Sequence, residues 1–171
     1  MSLREEILKE HSKPHTVYLS KKIGPNQEAF DELMDLFLKG EYQVKQRAAW
    51  ILSHCFDDHP WLINKHIEAL ILNLQNDVHD AVKRNTVRVL QFVDIPEKLL
   101  GTAADICFSF LNSSKEPVAV KAHSMTILLN IVKKFPELKV ELKLSIEDQL
   151  PFGSAGIKSR GNKILKALDK I

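Results

Sequence analysis

The sequence predicts an all-α protein assembled from stacked two-helix repeats, and three observations carry that prediction. An apolar residue followed by Lys recurs at Val44-Lys45, Val82-Lys83, Val120-Lys121 and Ile157-Lys158, at steps of 38, 38 and 37 residues. Each opener leads to an apolar pair seven and eight positions on (Ile51-Leu52, Val89-Leu90, Ile127-Leu128, Ile164-Leu165), which is the spacing of one stripe along an α-helix. Helix breakers agree with this division: Pro25, Pro60, Pro96 and Pro136 fall between units, and Gly40, Asn76-Asp77, Pro117 and Gly153 fall inside them. No stretch alternates with period two, and no Asn-Gly or Asp-Gly hairpin turn occurs.

The elements follow in chain order. Ser2-x-x-Glu5 forms a capping box that starts a helix carrying Leu3, Ile7 and Leu8. Pro14 stands near the start of a second helix with Val17, Leu19 and Ile23, completing a short N-terminal repeat over residues 1–25. In the first full repeat, 26–63, Phe30, Leu33, Met34 and Phe37 mark an A helix and Val44 opens the B helix. The second, 64–100, repeats this with Ile67, Leu70, Ile71 and Leu74, then Val82. The third, 101–139, has Ala104, Cys107, Phe108 and Leu111, then Val120. The fourth, 140–171, has a looser A helix through Leu142, Ile146 and Leu150, then Ile157. Four residues after each opener sits a small residue (Ala48, Thr86, Ser124, Gly161), which lets a neighbouring helix approach closely. All of this is expected to fold as one domain.

At 171 residues, 44% apolar and 27% charged, the chain has an ordinary globular balance and can bury a core without staples. Lys and Arg number 24 against 22 Asp and Glu, so only the placement of charge can inform on partners. The longest uncharged run, Ala122 to Val132, is far shorter than the ~20 residues that span a bilayer. No basic start precedes an apolar signal segment, and Cys55 and Cys107 make no disulfide framework, so a reduced cytoplasmic protein is expected.

The B helices, above all Asp80, Val82, Lys83 and Leu90, resemble those of HEAT repeats, which open with Asp, then Val-Lys or Val-Arg, then small residues and a Leu. The resemblance covers residues 26–171 well and 1–25 weakly. It implies a right-handed α–α superhelix, a solenoid of about four and a half repeats whose B helices line a concave face. It also implies that the lysines after the openers bond acids in the loops between repeats.

Advancing about 100° per residue from each opener, positions +2, +6 and +9, flanked by +3 and +10, point away from the apolar stripe. These positions supply Tyr18 in the partial repeat (with Ser12 as opener), then Arg47, Trp50 and His54, Arg84 and Arg88, His123, and Arg160 and Lys163. Lys21, Lys22, Lys166, His15 and Phe92 join them, and none of the positions holds Asp or Glu. An acid-free face with aromatic side chains suits a macromolecular partner. A protein is the leading expectation, and nucleic acid, held by its phosphates and an unstacked base, is the alternative.

Enzymatic signals are weak. His54 and Asp58 are four residues apart in the densest cluster of potential metal ligands, but the segment also reads as a helix end before Pro60, with Cys55 on the core stripe. Gly153-Ser154-x-x-Ile157-x-x-Arg160-x-Asn162 loosely resembles the signature of the fumarase and adenylosuccinate lyase superfamily, yet Ile157 and Arg160 depart from it and the repeat register already accounts for Ile157. The architecture is also similar to that of HEAT-like alkylpurine DNA glycosylases. That resemblance makes Trp50, Arg47, Arg84 and Arg88 the binding half of such a site and leaves the required carboxylate missing, the nearest acids being Asp57, Asp58 and Asp94 at B-helix ends. No phosphate loop or nucleophile elbow occurs. The expectation is a non-enzymatic binding or scaffold module with no cofactor, no metal and no membrane association.

Overall fold

The computed structural model describes residues 1–171, which form α-helices, short 3-10 segments and no strand. They pack as two compact units, Met1–Val89 and Leu90–Ile171. No helix is long and apolar enough to cross a membrane.

The first unit holds α1 (Leu3–Lys9), α2 (Lys13–Ile23), α3 (Gln27–Lys39), α4 (Tyr42–Asp58), α5 (Ile67–Asn73) and all but the last residue of α6 (Asp80–Leu90). Helix starts follow local side-chain chemistry. Ser2 and Glu5 make the reciprocal capping box, with Ser2 N donating to Glu5 Oε2 at 2.8 Å. Ser12 accepts from His15 N above Pro14, and Asn26 accepts from Ala29 N. Gly24 ends α2 in the left-handed region at φ 51, where its N–H reaches Ser20 O, and Pro25 prevents continuation.

Helix α4 is the hub of this unit, with α1, α2 and α3 all packed on it. Phe30, Leu33, Met34 and Phe37 from α3 meet Val44, Ala48, Ile51 and Leu52 from α4, all at 2% exposure or less. Each large side chain so buried contributes about 1.5–3 kcal/mol. The second A helix, α5, begins at Ile67 where its apolar spacing begins and has Leu74 as its C-cap, and Pro60–His66 coils as a 3-10 segment ahead of it. An ionic cluster fastens that segment to α3. Asp31 meets Lys65 and His66, each at 2.5 Å, and Gln27 bridges Asp31 Oδ1 and the Leu62 carbonyl. Burial opposes the Asp31 charge, but hydrogen bonds from Lys65, Gln27 and His66 outweigh it and hold the carboxyl at about 2.

The second unit holds α7 (Glu97–Asn112), α8 (Val118–Val132), α9 (Lys139–Gln149) and α10 (Ala155–Leu168). Pro96 and Pro117 stand at the N-caps of α7 and α8, and Pro136 opens a 3-10 turn before α9. Helix α8 packs against α7, α9 and α10, and it is buried on nearly every side. That is the meaning of the long uncharged run, since a helix apolar all round has no solvent face to keep. It also corrects the outward register in this repeat: Ala122 and Leu129 are each 8% exposed rather than on a surface. The lysine row is corrected at Lys121, whose Nζ bonds the amide oxygen of Gln149 at 2.9 Å rather than a loop acid.

The small-residue row lies where its spacing placed it, with Ala48, Thr86 and Ser124 at 0% exposure and Gly161 buried. Thr86 and Ser124 return their hydroxyls to the carbonyls of Val82 and Val120, so their polarity is satisfied inside the helix. Cys55 and Cys107 are free thiols, 1% and 2% exposed. Burial pushes both up to about 12, with the Asp58 charge adding at Cys55 and a bond with Ser124 partly opposing at Cys107. The thiolate is the reactive form, so both should label with a disulfide reagent only as fast as the chain opens. Rapid reaction of both in the native protein would contradict this packing.

Candidate binding site

An open cleft of about 480 Å³ lies in the first unit, between the outward faces of α4 and α6 and the short α1–α2 connection. Gln46, Trp50, Ser53, His54 and Asp57 come from α4, Ala81, Arg84, Asn85 and Arg88 from α6, and His11 from the connection. The floor is tied together by side chains. Ser53 Oγ donates to Asn85 Oδ1 at 2.5 Å, and Asn85 Nδ2 donates to Ala81 O at 2.7 Å. Both residues are buried, so the two helices meet through a satisfied polar contact.

Trp50 forms an aromatic wall. It is half-buried, with the His11 ring edge-on at 5.8 Å and His54 tilted at 6.3 Å. Opposite it, Arg88 Nη2 donates to both Asp57 oxygens at 2.9 and 3.0 Å, while Arg88 Nη1 is buried without an acceptor. Arg84 is exposed and makes no ion pair. The cleft therefore carries two guanidinium groups, one engaged and one free, against a single carboxylate.

Of the sequence-predicted face, Trp50, His54, Arg84 and Arg88 meet in this cleft. The others do not join them. Arg47 turns back to α1, where its Nη1 donates to Ile7 O at 3.1 Å and Leu8 O at 2.9 Å. Those carbonyls belong to the last turn of α1, which has no intrahelical donors left for them, so Arg47 serves as a C-terminal cap. Tyr18 stands apart on α2, 55% exposed and stacked on His15 at 6.0 Å.

The remaining predicted residues lie in the second unit. His123 shares a 3.0 Å hydrogen bond with Gln91. Arg160 Nη1 donates to Thr126 Oγ1 at 2.7 Å, Ala122 O at 3.1 Å and Gln91 Oε1 at 3.2 Å, so it packs α10 onto α8 instead of facing a ligand. The lyase-like string is explained the same way: Ser154 is the N-cap of α10, Ile157 is core and Arg160 is a packing donor. Lys163 is exposed and lines a separate cleft with Lys166.

The expectation of an acid-free face fails at Asp57. Carrying the α4 register one turn beyond +10, to +13, gives Asp57 at about 220°, squarely outward. The helix runs to Asp58, so that turn exists, and it delivers a carboxylate beside Trp50 and Arg88. His11 sits between helices and had no register to reveal it. His54 and Asp58 find no companions, since no three His, Cys, Asp or Glu side chains converge as metal ligands.

Against known families, the HEAT repeat domain matches residues 3–168, nearly the whole chain. No curated protein and no solved structure matches it significantly.

Proposed function

The chain belongs to the HEAT repeat family, and on that premise we propose that it is a non-enzymatic protein-interaction module whose first-unit cleft grips a segment of a partner protein. The observation that carries the proposal is the exposed Arg84 guanidinium, which makes no ion pair, in one cleft with the half-buried Trp50 ring. Trp50 supplies a rigid aromatic surface for an apolar side chain, and the free Arg84 guanidinium selects a carboxylate next to it. Trp and Arg together in a cleft are the residue types that dominate protein interfaces.

Mixed charge favours a protein over nucleic acid here. A phosphate backbone needs unpaired cations. At this cleft Arg88 is paired with Asp57 and Arg47 is withdrawn to α1, which leaves Arg84.

Selection from a displayed random-peptide library tests the reading. Selected peptides are expected to share an acidic residue near an apolar one. They should lose about thirtyfold or more in affinity on Trp50→Ala, the ~2 kcal/mol scale of an interface hot spot, and on Arg84→Glu. Melting of Arg84→Glu should be unchanged, because an exposed unpaired charge adds little stability. Selected peptides that ignore both substitutions would remove the cleft from function. Loss of duplex-DNA binding confined to Arg84→Glu with Arg88→Glu would give the cleft to nucleic acid.

A further inference from the structure

A second cleft, of about 560 Å³, lies wholly in the second unit along the outward face of α10 and the end of α8. It carries Lys133, Lys163, Lys166 and Lys170, together with Ser159 and Asn162. No Asp or Glu lines it, and none of the four ammonium groups is in an ion pair, although the neighbouring Lys134 bonds Asp94 at 2.6 Å. Helix α10 carries Lys158, Arg160, Lys163 and Lys166 and no acid at all.

The lysines are ordered by the repeat. Counted from Ile157, Ser159, Lys163, Lys166 and Lys170 stand at +2, +6, +9 and +13, which fall within about 60° of one another around the helix axis. Counted from Val120, Lys133 is also at +13. The same turn that brings Asp57 into the first cleft thus brings two more cations into this one.

We infer that this second cleft binds the phosphodiester backbone of a nucleic acid. From Ser159 to Lys166 the row spans about 10 Å of helix at 1.5 Å per residue, which matches about three nucleotide steps of one duplex strand at 3.4 Å each. Ser and Asn are ordinary phosphate contacts, and Lys meets phosphate as a compact point charge. Lys, Ser and Ala make up six of the cleft's eight lining residues, the others being Asn162 and Ile171. Lys, Ser and Ala are depleted in protein interfaces, and the aromatic and Arg anchors that hold a partner chain are missing from this lining. With no aromatic ring to stack a base and no Arg fork to read one, binding here is blind to sequence. This inference is independent of the peptide-binding role of the first cleft.

The test is fluorescence anisotropy of the full chain with labelled duplex DNA, duplex RNA and single-stranded DNA across a range of salt. Four phosphate contacts predict a log–log slope of about −3.6 on duplex DNA and about −2.8 on a single strand. Whichever of DNA and RNA binds tighter identifies the source of the backbone. Lys163→Gln with Lys166→Gln should flatten the slope by about two, and Lys133→Gln, on a different helix, by about one. The control pair Lys13→Gln with Lys143→Gln, exposed lysines elsewhere, should leave it unchanged. No binding at low salt, a slope shallower than about −1, or equal losses in the control pair would overturn the inference. So would displacement by poly-glutamate of matched charge at the same concentration as DNA, which would assign the cleft to an acidic protein. Because the lysine variants leave Trp50 and Arg84 intact, failure here and failure of the peptide-binding reading are read separately.

Discussion

Gly161→Leu is expected to destabilise the chain by about 1–3 kcal/mol, while Gly161→Ala leaves it close to wild type. The difference follows from what each side chain meets. A Cβ at Gly161 would stand 2.9 Å from Leu150 Cδ2, the tip of a flexible side chain just after α9, and 3.1 Å from Ile146 Cγ2, the branch methyl of a stiffer side chain on α9. A shift of a few tenths of an ångström accommodates a methyl group, and Ala gains about 0.8–1.0 kcal/mol over Gly in helix propensity, so the two effects nearly cancel. Leu has three further carbons and no space for them without moving α9 off α10. Ala48→Leu and Ser124→Leu, at equivalent positions with 0% exposure, should cost a similar amount. Denaturant melts of the four variants are the measurement. A Gly161→Leu chain that melts with the wild type would mean that α9 does not rest on α10 at this contact.

That prediction could be made from sequence because the contact is written in the repeat. The positions of Ala48, Thr86, Ser124 and Gly161 depend only on the opener and on helical geometry, and burial makes their size a strict requirement. The cleft was half legible for the same reason: Trp50, His54, Arg84 and Arg88 are outward positions on adjacent B helices, and the fold brings them together. The register failed in two ways. It stopped one turn early and missed Asp57, Lys133 and Lys170, although the lengths of α4 and α8 and the turn after α10 were enough to include them. It also gave the angle of each Cβ and not the destination of a long side chain. Arg47 bends back to the orphan carbonyls at the end of α1, and Arg160 bends to Thr126 Oγ1, Gln91 Oε1 and the Ala122 carbonyl. A guanidinium on a flexible stem goes where acceptors come within reach, and the end of α1 and the flank of α8 come within reach only after the helices have packed.

Replacing Arg47 with Met should therefore cost about 2–4 kcal/mol, more than an exposed charge could account for. Two charge-assisted hydrogen bonds to Ile7 O and Leu8 O disappear, each of a kind that contributes about 1.5–3 kcal/mol, and the carbonyls they leave are recovered only in part by water. Met keeps much of the apolar stem, so the loss reports the guanidinium and not its packing. The effect should be local first. At seven residues α1 is too short to persist by itself, and its place depends on Ile7 in the core and on Arg47 at its end. Hydrogen exchange should show the α1 amides losing protection well before those of α3 and α4, with the denaturant midpoint falling as well. Arg47→Lys should recover only part of the loss, since the lysine side chain is one bond shorter and its ammonium falls short of the point from which Nη1 reaches both carbonyls. The outward register makes the opposite forecast for the same variant: unchanged stability and α1 protection, with weakened binding at the cleft. Measuring exchange and peptide affinity on Arg47→Met decides between a helix cap and a ligand contact, and the two carbonyl bonds commit the structure to the cap.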